Sequence, residues 1–383
     1  MNRMKVALSL IGAGLLGLGL VGLRSMFDSP VKASKADQRI LRAMRVIEKM
    51  PNRAEGYNQL ASAYMQKARE TADFDLNTNA DDAITRSLAV EPDNYDALKL
   101  RAKLQLTYHR FSDALETARR AQTVRTDDHD VWGQITDALV ELGDYSGAVK
   151  AAQTMVDLRP DSSSYARVSY LRSLHGDTLG AIEAMVAAVK SANPNDPEAI
   201  AWCHVQLGNE LINAGRFAAG EREFDEALRI FPDHPLALRA KAEARKEAGD
   251  IEAAIKISEH EGASADAAQM LGDLYTLQGR KDEALKQYKV FETLERENAV
   301  RERSWRHLVN YWLDHDQNLA EALTLATREY ETRKDIFTCD SLAWALFKNG
   351  RIADAKKLMT EALRTGTKDP RLTHHARIIR QTP

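Results

Sequence analysis

From about Pro51 onward the chain repeats itself roughly every 34 residues, and this recurrence constrains the fold more than any other feature. The cleanest copy begins at His129, with Trp132, Ile135, Gly143-Asp144-Tyr145, Ala148 and Pro160 at positions 4, 7, 15–17, 20 and 32. A second begins at Ala265 and sets Leu271-Gly272, Tyr275, Gly279-Arg280, Ala284 and Tyr288 in the same register. A third aligns Leu207-Gly208, Leu211, Gly215-Arg216-Phe217, Phe224, Ala227 and Pro232. Small residues at positions 8, 20 and 27 let two helices approach closely, and large residues at 4, 7, 11, 17 and 24 fill the space between them. Gly-Asp or Gly-Arg turns the chain from one helix to the next. A unit this short cannot bury its apolar face alone, so the copies must stack.

In type and spacing these residues resemble the tetratricopeptide repeat family. The resemblance implies an all-α fold, a right-handed superhelical solenoid of helix-turn-helix hairpins. Residues 51–369 are expected to hold about nine repeats, starting near Ala54, Tyr95, His129, Ser162, Ala201, Pro235, Ala265, Arg303 and Ile336. Extra length falls at residues 70–80 and 295–302. Residues 36–50 place Ile40, Leu41, Met44 and Ile47 on one helical face, which suits an N-terminal capping helix. Residues 370–383 read as a C-terminal capping helix and tail that covers the last apolar face.

Ahead of the repeats, residues 1–5 form a basic tail with Arg3 and Lys5, and residues 6–23 contain no charge. Eighteen helical residues span about 27 Å, close to the hydrocarbon thickness of a bilayer. The expectation is one N-terminal transmembrane or signal-anchor helix, then a linker over 24–35. Val31-Lys32-Ala33 is the best cleavage pattern for the alternative, a cleaved signal and a secreted chain. The soluble part is expected on the periplasmic side, although Arg24, Lys32, Lys35, Arg39 and Arg42 follow the segment and favour a cytoplasm-facing alternative. Ser9, Ala13 and Gly17 form a small-residue line that suits homo-oligomer contact between such helices.

Lys and Arg total 53 against 56 Asp and Glu, a net charge of −3 that argues against nucleic acid as partner. Two cysteines rule out a disulfide scaffold and a four-cysteine zinc site. In an extended solenoid, Cys203 and Cys339 sit too far apart to bridge. No Gly-rich phosphate loop, nucleophile elbow or His-Glu-x-x-His occurs, so no enzyme, cofactor or metal is expected. His307, Tyr311, Asp314 and His315 form the densest polar cluster. Two histidines eight residues apart lie about 12 Å apart along a helix, too far for one metal shell. That cluster is carried as the metal or small-molecule alternative. His374 and His375 read as a solvated tail.

The resemblance implies that the first helices of successive hairpins line a concave groove through positions 2, 5, 9, 12 and 13. That register nominates Lys99 and Lys103, then Asp130, Asp137 and Glu141, Tyr170, and Trp202, Asn209 and Asn213. It continues with Arg239 and Glu243, Gln269 and Asp273, His307 and Tyr311, and Phe337, Asp340 and Trp344. Rings supply contact area and amides bond to a peptide backbone, so a protein or peptide partner is expected. On this reading Tyr311→Ala or Trp344→Ala weakens partner capture without unfolding the solenoid. The family's carboxylate clamp fails at Asn209, because Val205 and Ala240 replace its Lys and Asn. The overall plan resembles bacterial membrane-anchored or exported tetratricopeptide proteins, non-catalytic scaffolds that support assembly or maturation of an envelope complex.

Overall fold

The computed structural model describes residues 34–71, 73–302 and 304–382. Among them every regular element is a helix. The basic tail, the apolar segment 6–23 and nearly all of the linker lie outside the described residues. Among the described residues no helix is long and apolar enough to cross a membrane.

A first helix, α1 (Lys35–Lys49), is followed by nine hairpins. The first three are α2 (Ala54–Thr71) with α3 (Leu76–Val90), α4 (Tyr95–Thr107) with α5 (Phe111–Val124), and α6 (His129–Glu141) with α7 (Tyr145–Leu158). Next come α8 (Ser162–Leu174) with α9 (Thr178–Ser191), α10 (Pro197–Asn213) with α11 (Phe217–Ile230), and α12 (Pro235–Glu247) with α13 (Ile251–Glu261). The last three are α14 (Ala265–Leu277) with α15 (Lys281–Glu302), α16 (Arg306–Asp314) with α17 (Leu319–Thr332), and α18 (Ile336–Lys348) with α19 (Ile352–Ala362). A closing helix, α20 (Pro370–Gln381), packs on α18 and α19.

Local chemistry explains these boundaries. The fifth hairpin begins at Pro197, four residues before the expected Ala201, because Asp196 caps the Ala199 N–H and proline suits the first helical position. The eighth begins at Arg306, not Arg303, because α15 continues through Glu302 and the Trp305 N–H donates to Glu329 at 2.8 Å. Within hairpins, the helices meet where a side chain is missing. A Cβ on Gly208 would lie 2.3 Å from Phe224 Cε1, so the ring of α11 occupies the space that any larger residue on α10 would claim.

The solenoid curls until distant repeats meet. Arg69 of α2 pairs with Glu198 of α10 at 3.6 Å, joining the first and fifth hairpins. Arg333, after α17, pairs with Glu141 at the end of α6 at 2.5 Å, joining the third hairpin to the ninth. The extended solenoid expected to separate Cys203 from Cys339 is therefore corrected to one that closes on itself. Both cysteines remain free thiols and are buried.

Candidate binding groove

The first helices of hairpins one to four, α2, α4, α6 and α8, wall a groove of about 1400 Å³, with α1 at one end. Its lining follows a helical stripe. Position 2 supplies Glu55, Asp96, Asp130 and Ser163; position 5 supplies Asn58 and Lys99; position 9 supplies Ser62, Lys103 and Asp137. Position 6 supplies Gln59, Leu100, Gln134 and Arg167, a row absent from the nominated set. Residues 2, 5, 6 and 9 share one face of a 3.6-residue helix, so adding position 6 to the register finds all four.

Most of the polar groups are committed to one another. Lys99 bridges Asp128 at 2.8 Å and Asp130 at 2.6 Å. Burial opposes the Lys99 charge, but its hydrogen bonds to these two carboxylates hold the ammonium above its usual range. Burial likewise works against the Asp128 carboxylate, yet bonds from Lys99 and Tyr95 outweigh it and pull the group down to about 2. Arg167 grips Asp137 with two bonds, 2.8 and 2.5 Å. Asn58 donates to Asn94 at 2.8 Å and accepts from Ser87 at 2.6 Å, tying the first repeat to the second.

Besides Arg42 and Arg53, which line the end nearest α1 with no carboxylate partner among the described residues, two further groups stand apart. Lys103 is exposed to the groove, and no carboxylate among the described residues pairs with it. Enclosure by the surrounding walls, then repulsion from Arg69, push its ammonium down to about 8. Gln134 is 5% exposed and donates to the Lys99 carbonyl at 3.0 Å, while its Oε1 has no partner among the described residues. Free cations in such a groove suit a ligand that offers carbonyl or carboxylate acceptors.

The other nominated residues go elsewhere. Tyr170 on α8 is 41% exposed, and Asn209 and Asn213 are exposed on α10. Trp202 is half-buried against the Cys203 and Leu207 core. Arg239 is held by Asp266 at 2.5 Å and Glu261 at 3.2 Å, Gln269 is half-buried on α14, and Asp273 accepts from the Tyr288 hydroxyl at 2.8 Å. Tyr311 is 3% exposed, its ring 4.8 Å from Phe291 and 4.4 Å from His315, so it belongs to the core. His307 faces solvent and Glu295 instead, and His315 Nδ1 lies 2.8 Å from the Tyr311 carbonyl. The three are not brought to one point. Among the described residues only Asp128, His129 and Asp130 cluster at metal-binding distance, and there the Lys99 ammonium already joins the two carboxylates.

In the ninth repeat, Phe337 is half-buried beneath Arg306, while Asp340 and Trp344 are covered by α20. His375 Nδ1 is 2.9 Å from Asp340, and its ring stacks on Trp344 with centroids 4.2 Å apart. The pairing corrects two expectations at once. Asp340 and Trp344 are not open to a ligand, and His375 is buried, not part of a solvated tail.

Comparison with known proteins agrees with this architecture. Residues 205–259 match the tetratricopeptide repeat family model. No curated protein sequence matches the chain. A chain of the Cut9–Hcn1 hetero-tetramer of APC/C is similar at 12% identity and a TM-score of 0.53, over 91% of this chain and 60% of that one. This chain therefore spans about three fifths of that relative's length. Human IFIT1, solved as a dimer with m7Gppp-AAAA, is similar at 15% identity and a TM-score of 0.53, covering 86% of this chain and 77% of its own. At these identities the likeness carries the fold alone. With the repeat register, nine stacked hairpins and the matched segment in agreement, the chain is a tetratricopeptide repeat protein.

Proposed function

We propose that this protein is a non-catalytic scaffold that holds an extended protein or peptide segment in the groove of α2, α4, α6 and α8. The carrying observation is an uncommitted Lys103 on a 1400 Å³ groove whose wall cations Lys99 and Arg167 are already held by carboxylates. A peptide backbone presents carbonyl acceptors at every residue, and acidic side chains or a terminal carboxylate would add to the Lys103 contact. Of the other groove cations, Lys99 and Arg167 hold carboxylates of the wall itself and serve as framework, while Arg42 and Arg53 line the end nearest α1 with no carboxylate partner among the described residues.

The location of this scaffold rests on the sequence. In the proposal, residues 6–23 anchor the chain in a membrane, the repeats lie on the extracytoplasmic side, and the partner belongs to an envelope complex under assembly or maturation. A reporter fused at the C-terminus tests the topology: activity of a periplasm-dependent reporter supports it, and activity of a cytoplasm-dependent one overturns it. For the groove, Lys103→Glu in the full-length protein is expected to weaken retention of the native partner at least tenfold while the melting temperature stays unchanged. Full retention by that variant would remove Lys103 from the site.

A further inference from the structure

We infer that the contact between the third and ninth hairpins is a latch that fixes the curvature of the solenoid. A stacked repeat array gains its stability from nearest neighbours, so a contact between segments 192 residues apart is an addition to that scheme. It centres on the turn after α6 and the segment between α17 and α18, with further contacts from Arg364 and between the turns at Gly176 and Gly366.

The latch is built from specific parts. The Lys334 N–H donates to the Glu141 carbonyl at 3.0 Å, and the Ile336 N–H donates to the Tyr145 hydroxyl at 2.9 Å. Arg364 Nη2 closes the far side with a 2.6 Å bond to the Lys334 carbonyl, its guanidinium 5.0 Å from the centre of the Tyr145 ring. Arg333, 5% exposed, contacts Glu141, Glu329 and Asp335, and Arg306 adds a second cation at Asp335.

Two glycines mark the seam. Gly143 (φ +80°) and Gly176 (φ +74°) adopt the left-handed conformation that hairpin turns require, as do Gly249 (φ +80°) and Gly215 (φ +73°). Around Gly249 and Gly215 a Cβ would meet nothing within 4 Å. At Gly143 it would lie 2.6 Å from the Lys334 carbonyl oxygen, and at Gly176 2.5 Å from that of Gly366. These two turns therefore need glycine a second time, for the approach of the returning chain. The latch also adjoins α8: Tyr170 lies in the field of Glu141, Asp335 and Arg306. Releasing it changes the surroundings of an exposed ring on α8.

The matched glycines supply the test. In the full chain, Gly143→Ala and Gly249→Ala carry the same left-handed strain, but only the first collides across the seam. Amide exchange at Lys334 and Ile336 is expected to accelerate at least tenfold in Gly143→Ala and to stay at the wild-type rate in Gly249→Ala. Glu141→Gln, which keeps shape and removes charge, is expected to shift exchange in the same direction should the alanine variant fold poorly. Spin labels at exposed Ser146 and Glu331 are expected to report a longer, broader distance once the latch is released; both native thiols are buried. Equal acceleration in both alanine variants overturns the latch, because it assigns the effect to local strain. So does exchange at the rate of an exposed amide in the wild type, or faster exchange with no change in the labelled distance.

Discussion

The second and ninth repeats place different chemistry at the same three positions. At positions 2, 5 and 9 the second repeat carries Asp96, Lys99 and Lys103, all lining open groove. The ninth carries Phe337, Asp340 and Trp344, with Asp340 1% and Trp344 7% exposed beneath α20. The helices are equivalent, and what covers them differs. Repeat position therefore says which way a side chain points, and only the neighbouring element says whether it meets a ligand or a core. At the C-terminal end the cap lays His375 over Asp340 and Trp344; at the N-terminal end α1 borders the groove and leaves it open.

The largest effect that separates the two ends is on stability. Trp344→Ala removes a buried indole stacked on His375 and Phe347 and is expected to cost about 3–5 kcal/mol in urea unfolding. Lys103→Ala, in the equivalent position of the second repeat, is expected to stay within about 0.5 kcal/mol. Comparable losses at the two sites would erase the distinction. The same logic reverses the use of Tyr311→Ala and Trp344→Ala as probes of binding, since both cut into the core.

A smaller loss, about 1–3 kcal/mol, is expected for His375→Ala, which leaves the Asp340 carboxylate buried without its imidazole partner. A red shift of tryptophan emission should accompany it as α20 loosens from Trp344. A full loss of stability with unchanged emission would place the effect elsewhere.

The weakest expected effect lies in the groove framework and depends on pH. Asp128 is held near 2 when folded, against an ordinary value of 3.8, so its contribution is complete above about pH 4 and fades as the pH falls through 2. Lys99→Met is therefore expected to be less stable than wild type at pH 6, with the gap narrowing between pH 4 and pH 2 in acid titrations followed by circular dichroism. A gap that holds constant through that range would show that Lys99 contributes packing and not charge.

The hairpins were legible because they depend on local features. Gly-Asp turns, small residues such as Gly208 and proline at helix starts act within one repeat, and a single sequence displays them. The groove was legible only in part. Lys99 and Lys103 followed from the register, whereas Asn58, Gln134 and Arg167 were missed: hairpin one and position 6 were not among the nominated sites. The curl was not legible at all. Arg333 and Glu141 carry no mark in the sequence that they meet, because the angle between stacked repeats accumulates from many small packing choices. The cap's hold on Trp344 was hidden for a similar reason: His375 reads as one more polar residue until α20 is seen to turn it inward.

The most direct measurement places a photoreactive side chain at Gln59, Lys103 or His307, one position at a time, in the full-length protein in its native cell. All three positions are exposed, so access is equal. The account predicts the same discrete partner adduct from Gln59 and Lys103, and none from His307. An adduct from His307 with none from Gln59 and Lys103 would contradict it and move the binding surface to the C-terminal repeats.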